Sequence, residues 1–311
     1  MQYRVNCLPQ AREHARRMNS AGARYPWMAS YDGSEQCESW DIGASEVHVT
    51  ADVVYALDLY ARVTGDAAFA RQAEEVYIET ACFWRSRYTP APDGTSFDLL
   101  FCKGPDEYCG ITSNNLFTNV MVRHNLHLAL AAARRMQRKD PDRFAALCLS
   151  EEELAGWQAL EQGIQIPRDP VTGHLRADDS FQLLEPVDPL KQGDAASYHQ
   201  VCFDRLQRYQ VIKQADTLLA MTRLPDAFTP QEKQAAWQAV VFGFAGLHFT
   251  AGGPALAPTC LTAGRACISV STGTAPRTAP MCAAIPPEGY RQASSSARNE
   301  QRQIFRKKAD V

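Results

Sequence analysis

The stretch KGPDEYCG, residues 103–110, sets two adjacent carboxylic acids and a tyrosine in a short connection. An apolar run (FDLLF, 97–101) precedes it and a helix-like segment (NNLFTNVMVRHNLHLAL, 114–130) follows. Gly104-Pro105 favours a tight turn. Phe101, Tyr108 and Ile111 are placed to keep water from Glu107, and a desolvated carboxylic acid has its pKa raised. Such an acid stays protonated near neutral pH, as protonation of a departing glycosidic oxygen requires. Read alone, the same residues also make an ordinary polar turn.

Two further stretches carry matching chemistry. Residues 22–41 (GARYPWMASYDGSEQCESWD) collect Tyr25, Trp27, Tyr31 and Trp40 with Asp32, Glu35, Glu38 and Asp41. Aromatic faces for sugar C–H groups and carboxylates for hydroxyls are the material of a carbohydrate cleft. They also suit a plug in the end of a helical barrel. In residues 209–221 (YQVIKQADTLLAM), Lys213 and Gln214 stand just before an apolar helix, as donors to sugar hydroxyls or as plain surface residues. The sequence holds no Gly-x-Gly-x-x-Gly, Walker, Gly-x-Ser-x-Gly or His-Glu-x-x-His motif.

The elements that must position these residues read as helices. In residues 48–66 (HVTADVVYALDLYARVTGD), Val53, Val54, Leu57, Tyr60 and Ala61 recur at helical spacing. Gly65 suits a left-handed helix end, and Asp66 can cap the next helix, 67–87. Further helices are expected at 3–18, 115–138, 151–162, 204–221 and 230–244. No run of alternating strands appears, and long amphipathic helices joined by acid- and aromatic-bearing loops predict an all-α barrel or solenoid over 1–248. From 249 to 311 the composition changes. Glu288 is the only acid between Thr250 and Arg298, six prolines crowd in, and neither helical nor strand period survives. The expectation there is a low-complexity tail, disordered or never selected to fold, and hence non-native.

The 311 residues suffice for a sizeable core, and a net charge of −3 speaks against nucleic acid or an anionic membrane as the main partner. No apolar leader or membrane-length run is present, so a cytoplasmic protein is expected. The ten cysteines include no Cys-x-x-Cys, which predicts free thiols and no metal site.

In this order and at these spacings, RYPWM, EVHVTADVVYALDLYARVTGD, GPDEY…NNLFTN and VIKQADTLLAM resemble the glycoside hydrolase family 65 disaccharide phosphorylases, over about residues 1–245. The resemblance implies an (α/α)6 barrel and an inverting attack of inorganic phosphate on an α-glucoside. The products would be β-glucose 1-phosphate and a free sugar. Phosphate is a co-substrate and no cofactor is implied; a homodimer is usual in the family. Glu107 matches the general acid, and Lys213 and Gln214 match the pair that binds the transferred glucosyl unit. Trp27 and Cys37-Glu38-Ser39 fall where the acceptor subsite is shaped. Cys37-Glu38-Ser39 before Trp40 departs from the His-Asn-Glu of maltose enzymes, which disfavours maltose and leaves kojibiose as first choice. The family's phosphate motif, His-Asp-Ser-Ser-Leu-Ser, is expected near residue 255 and is not found there. A reading-frame shift near residue 245 and an impaired fragment are therefore expected. The rival readings are an inverting hydrolase, with Asp32, Glu38 or Asp41 as base, and a non-catalytic sugar-binding remnant.

Overall fold

The computed structural model describes residues 1–37, 39–185 and 207–238, with the strands Leu247–Thr250 and Gly253–Leu256. All lie within the unit Met1–Ala263. Glu38, residues 186–206, 239–246 and 251–252, and the tail from 257 fall outside the described residues.

Expected as one helix, the N-terminus forms two, α1 (Gln2–Asn6) and α2 (Leu8–Arg17). Pro9 lies in the first turn of α2, where its missing N–H costs nothing, so a new helix begins after Cys7. A short α3 (Trp40–Gly43) precedes α4 (Val49–Thr64). Gly65 ends α4 at φ 66, in the left-handed conformation a residue with Cβ avoids. The Asp66 carboxylate then caps α5 (Ala67–Arg87), accepting from Phe69 N at 2.9 Å. With only two residues between them, α4 and α5 pack as antiparallel neighbours. Val53, Val54 and Leu57 are buried as the periodicity predicts, whereas Tyr60 is 40% exposed and lays its ring edge-on to Phe69.

The centre of the core is α6 (Leu116–Lys139), which packs on α4, α5, α7 (Pro141–Ala146), α8 (Glu151–Gly163) and α9 (Asp216–Arg223). Ser150 caps α8 through Glu153 N, and three glutamates occupy that helix's positive first turn. Helix α10 (Pro230–Gln238) closes the described helical part. Trp84 and Trp157 are fully buried among Leu57, Leu116, Leu126 and Leu154.

A helix over 204–221 is not what forms. Among the described residues of that span the helix begins only at Asp216, and 207–215 is turn and loop. The backbone N–H groups of Lys213 and Gln214 are taken by a side chain from elsewhere, as described below. Strands are also present. Thr89–Pro90 (β1) pairs with Phe97–Asp98 (β2), and Leu247–Thr250 (β3) with Gly253–Leu256 (β4), both antiparallel. The second hairpin sets Leu247 opposite Leu256 and straddles residue 248, where the sequence shows no strand period. The pairing is made by main-chain hydrogen bonds, which do not depend on an alternating side-chain pattern.

Three asparagines on α6 and at its cap are fully buried: Asn115, Asn119 and Asn125. Asn125 accepts from Trp84 Nε1 at 2.8 Å and donates to Tyr77 O at 3.3 Å. Asn119 accepts from Tyr88 Oη at 2.7 Å and donates to Gln165 O at 2.7 Å. Replacing Asn125 with Leu strands the indole N–H of Trp84 in a dry core. The expected cost is about 1–3 kcal/mol, read as a lower urea midpoint and a melting temperature lower by several degrees.

Candidate active site

The loop that carries the acids leaves β2 and crosses to α6. Phe101 adopts φ 52, and Arg87 Nη2 takes the carbonyls of Leu100 (2.6 Å) and Phe101 (3.2 Å). This turn points the Phe101 ring outward, 74% exposed, so it does not shield Glu107 as expected. Lys103 N then donates to Ser45 O at 2.9 Å, tying the loop to the segment before α4. Gly104 allows the next approach: a Cβ there would lie 2.2 Å from both Asn115 Nδ2 and Asp216 Oδ2.

Asn115 has two tasks. Its Oδ1 caps α6 by accepting from Thr118 N (3.0 Å), and its Nδ2 donates to Asp216 Oδ2 (2.7 Å) at the start of α9. The bond fixes α9 against α6 and sets the residues just before Asp216 over the acid loop. There Lys213 Nζ reaches Glu107 Oε2 at 2.5 Å and Gln214 Nε2 donates to Glu107 Oε1 at 2.9 Å. Gln214 Oε1 in turn accepts from Glu107 N at 3.1 Å. Three of the predicted residues, Glu107, Lys213 and Gln214, are thus brought together.

The electrostatics differ from the expectation. The hydrogen bond from the Lys213 ammonium holds the Glu107 carboxyl below the usual glutamate range; burial opposes it more weakly, and Gln214 adds a smaller lowering effect. Its side chain is 44% exposed, so desolvation is too weak to raise the pKa. The raised acids are its neighbours. Burial lifts Asp106, and it lifts Asp216 to about 7 even though Asn115 donates to it. Asp216 Oδ1 has no hydrogen-bond partner among the described residues. Nearby, His48 lies between Asp52 (2.7 Å) and Glu46 (3.7 Å). Burial pulls its pKa down, but those two carboxylates outweigh it and raise it to about 9.

The aromatic loop is organised by Glu35, which the sequence alone offers only as a possible sugar ligand. Its carboxylate accepts from the backbone N–H of Trp27 (2.7 Å), Met28 (3.0 Å) and Cys37 (2.9 Å). Trp27 is half-buried, Tyr25 is a core residue bonded to Arg4 O at 2.8 Å, and Tyr31 is 99% exposed. Cys37 is a half-buried free thiol, and Ser39 is exposed with its hydroxyl on Asp41. Asp32 is held low by hydrogen bonds from Ser30 and Ser34. Among the described residues no hydrogen bond joins Trp27, Cys37 or Ser39 to Glu107. A cavity of ≈ 500 Å³ lined by His174, Phe181, Ile212, Asp216, Met221 and Ala236, among others, flanks the charged group rather than containing it.

Asp216 ties stability to pH. The folded chain keeps its proton up to about pH 7, while an ordinary aspartate releases it near 3.8, so between those values the native state holds the extra proton. Stability from this group is therefore present at low pH and lost as pH rises through 7. Asp216→Asn keeps an oxygen for Asn115 and removes the titration. It is expected to stabilise the protein at pH 8 by on the order of a few kcal/mol and to have no such advantage below pH 4, measured by urea unfolding across pH.

The model of the glycosyl hydrolase family 65 central catalytic domain matches residues 1–239. An alpha,alpha-trehalose phosphorylase of Thermoanaerobacter brockii is 33% identical over 239 residues, covering 74% of this chain and 31% of that protein. A kojibiose phosphorylase of the same organism is 28% identical over 253 residues, covering 75% and 33%. The chain thus spans about a third of the length of the curated relatives it matches. The solved structure of a "Putative kojibiose phosphorylase from human microbiome" superposes with a TM-score of 0.66 at 21% identity, over 84% of this chain and 45% of that one. That likeness identifies the helices as part of an (α/α)6 barrel. No helix among the described residues is long and apolar enough to cross a membrane. On the match to residues 1–239, the chain belongs to glycosyl hydrolase family 65.

Proposed function

We propose that the chain carries the proton-donor and glucose-binding part of an inverting disaccharide phosphorylase. The observation that carries the reading is the convergence of Lys213 and Gln214 on both oxygens of Glu107, in a chain of this family. Inorganic phosphate attacks the anomeric carbon of an α-linked glucosyl unit from the face opposite the leaving group. As the new C–O bond forms, the glycosidic C–O bond breaks, and Glu107 passes its proton to the departing sugar oxygen. The products are β-glucose 1-phosphate and glucose. One catalytic carboxylate suffices because phosphate is the nucleophile; an inverting hydrolase needs a second one roughly 6.5–9.5 Å away. Kojibiose is the first-choice substrate, with Trp27, Cys37, Glu38 and Ser39 shaping the acceptor side.

A carboxylate with both oxygens accepting hydrogen bonds has no proton to give. Donation therefore requires Lys213 to leave Glu107, and sugar hydroxyl oxygens are the replacement acceptors. Binding of the glucosyl unit draws the ammonium away and lets the Glu107 pKa rise, so the acid is loaded only when substrate is present.

The test offers kojibiose and trehalose, with and without inorganic phosphate, to this chain. It does the same for the product of whichever reading frame encodes His-Asp-Ser-Ser-Leu-Ser after residue 245. This chain is expected to release no glucose 1-phosphate, and the other product to release it only with phosphate, by at least ~10²-fold less after Glu107→Gln. Glucose release independent of phosphate would favour the hydrolase instead. Saturable binding without turnover in either product, unchanged by Glu107→Gln, would favour a binding remnant.

A further inference from the structure

Asp106, the neighbour of the proton donor, is buried at 4% exposure, too far inside to serve as a second exposed acid. Three backbone N–H groups converge on one oxygen of its carboxylate, Oδ1. Tyr108 N donates at 3.1 Å, Lys213 N at 3.0 Å and Gln214 N at 3.4 Å. The first closes a local turn of the acid loop. The other two reach across 107 and 108 positions of sequence to the main chain of the two residues whose side chains hold Glu107.

We infer that Asp106 is the positioning residue of the site, clamping the backbone of Lys213 and Gln214 so that their side chains meet Glu107. The inference deepens the proton-donor reading and rests on it for its catalytic meaning, though the clamp itself is a matter of geometry. A lysine side chain has four rotatable bonds and an exposed head, so it cannot hold one carboxylate oxygen unless its own backbone is fixed. Asn115 and Asp216 fix the chain just after this pair, and Asp106 fixes the pair itself. The burial of Asp106 sharpens its role. Its carboxylate is held inside the fold, so removing it takes away the acceptor that the protein sets against the N–H groups of Lys213 and Gln214.

Because one oxygen takes all three donors, the role needs an acceptor at Oδ1 and not a charge. Asparagine should therefore replace aspartate here. The experiment is a ¹³C NMR titration of the Glu107 carboxyl, which requires no turnover and so separates failure of the clamp from failure of the phosphorylase reading. Lys213→Met sets the reference, since it removes the ammonium outright. Asp106→Ala is expected to raise the Glu107 pKa by a shift comparable to that of Lys213→Met, while Asp106→Asn leaves it at the wild-type value. Amide exchange of Lys213 and Gln214 should be slow in wild type and Asp106→Asn and at least tenfold faster in Asp106→Ala. Should the alanine variant not fold, Asp106→Ser, whose shorter side chain cannot span to Lys213, is expected to give the same rise. A Glu107 pKa unmoved in the alanine or serine variant would overturn the inference. So would an asparagine variant that behaves like alanine, because charge and not geometry would then hold the pair.

Discussion

The site depends on fastening two pieces of chain that lie about a hundred residues apart, and the fastening is done by buried amide and carboxylate groups. Asn115 bridges to Asp216, and Asp106 takes the main chain of Lys213 and Gln214. Asn115, Asp216 and Asp106 are all buried, so losing one of these bonds would leave a polar side chain unpaired inside the fold, the costly side of the hydrogen-bond asymmetry. The exposed Lys213–Glu107 ion pair, by contrast, is worth little in stability. Its geometry is inherited from the buried bonds beneath it. The frame is rigid and the contact it presents is soft.

The same logic explains the run of asparagines. A buried helix face would ordinarily be aliphatic, yet Asn115, Asn119 and Asn125 are all buried. Each ties a helix or loop of different origin to α6: α9 through Asp216, Tyr88 and Gln165, and Trp84 on α5. Aliphatic packing tolerates sliding, whereas a paired amide has one register. The N-terminal part of α6 is thereby indexed against its neighbours.

Much of this was readable from sequence where the determinant is local. Gly65-Asp66 announces a helix end and a cap, and the 3.6-residue period over 48–64 finds the buried Val53, Val54 and Leu57. The order of the motifs also led to the family and to the trio Glu107, Lys213 and Gln214. What could not be read was set by partners far away. The pKa of Glu107 was expected to rise from its apolar neighbours, but Phe101 takes a left-handed backbone and turns outward, and the ammonium of Lys213 lies close by. Asp106 and Glu107 look alike in sequence, and only their depth separates clamp from acid. Residues 207–215 looked helical because nothing local reveals that two of their N–H groups are claimed by Asp106. The weight given to Glu38 lies outside the described residues, while Glu35, two positions before Cys37, organises the loop through three backbone amides.

The long span between the acid and its lysine has a temporal side. A ribosome adds about 5–20 residues per second, so Glu107 is made roughly 5–20 s before Lys213, 106 positions later. During that interval α4, α5, α6 and α8 can already pack, since their contacts are near in sequence. Asp106 and Asn115 then stand on a nearly finished scaffold with their far partners not yet synthesised. In such a state the structural core is present and the pairing of Lys213 with Glu107 is not. Docking of the segment that ends in α9 is the step that converts one into the other.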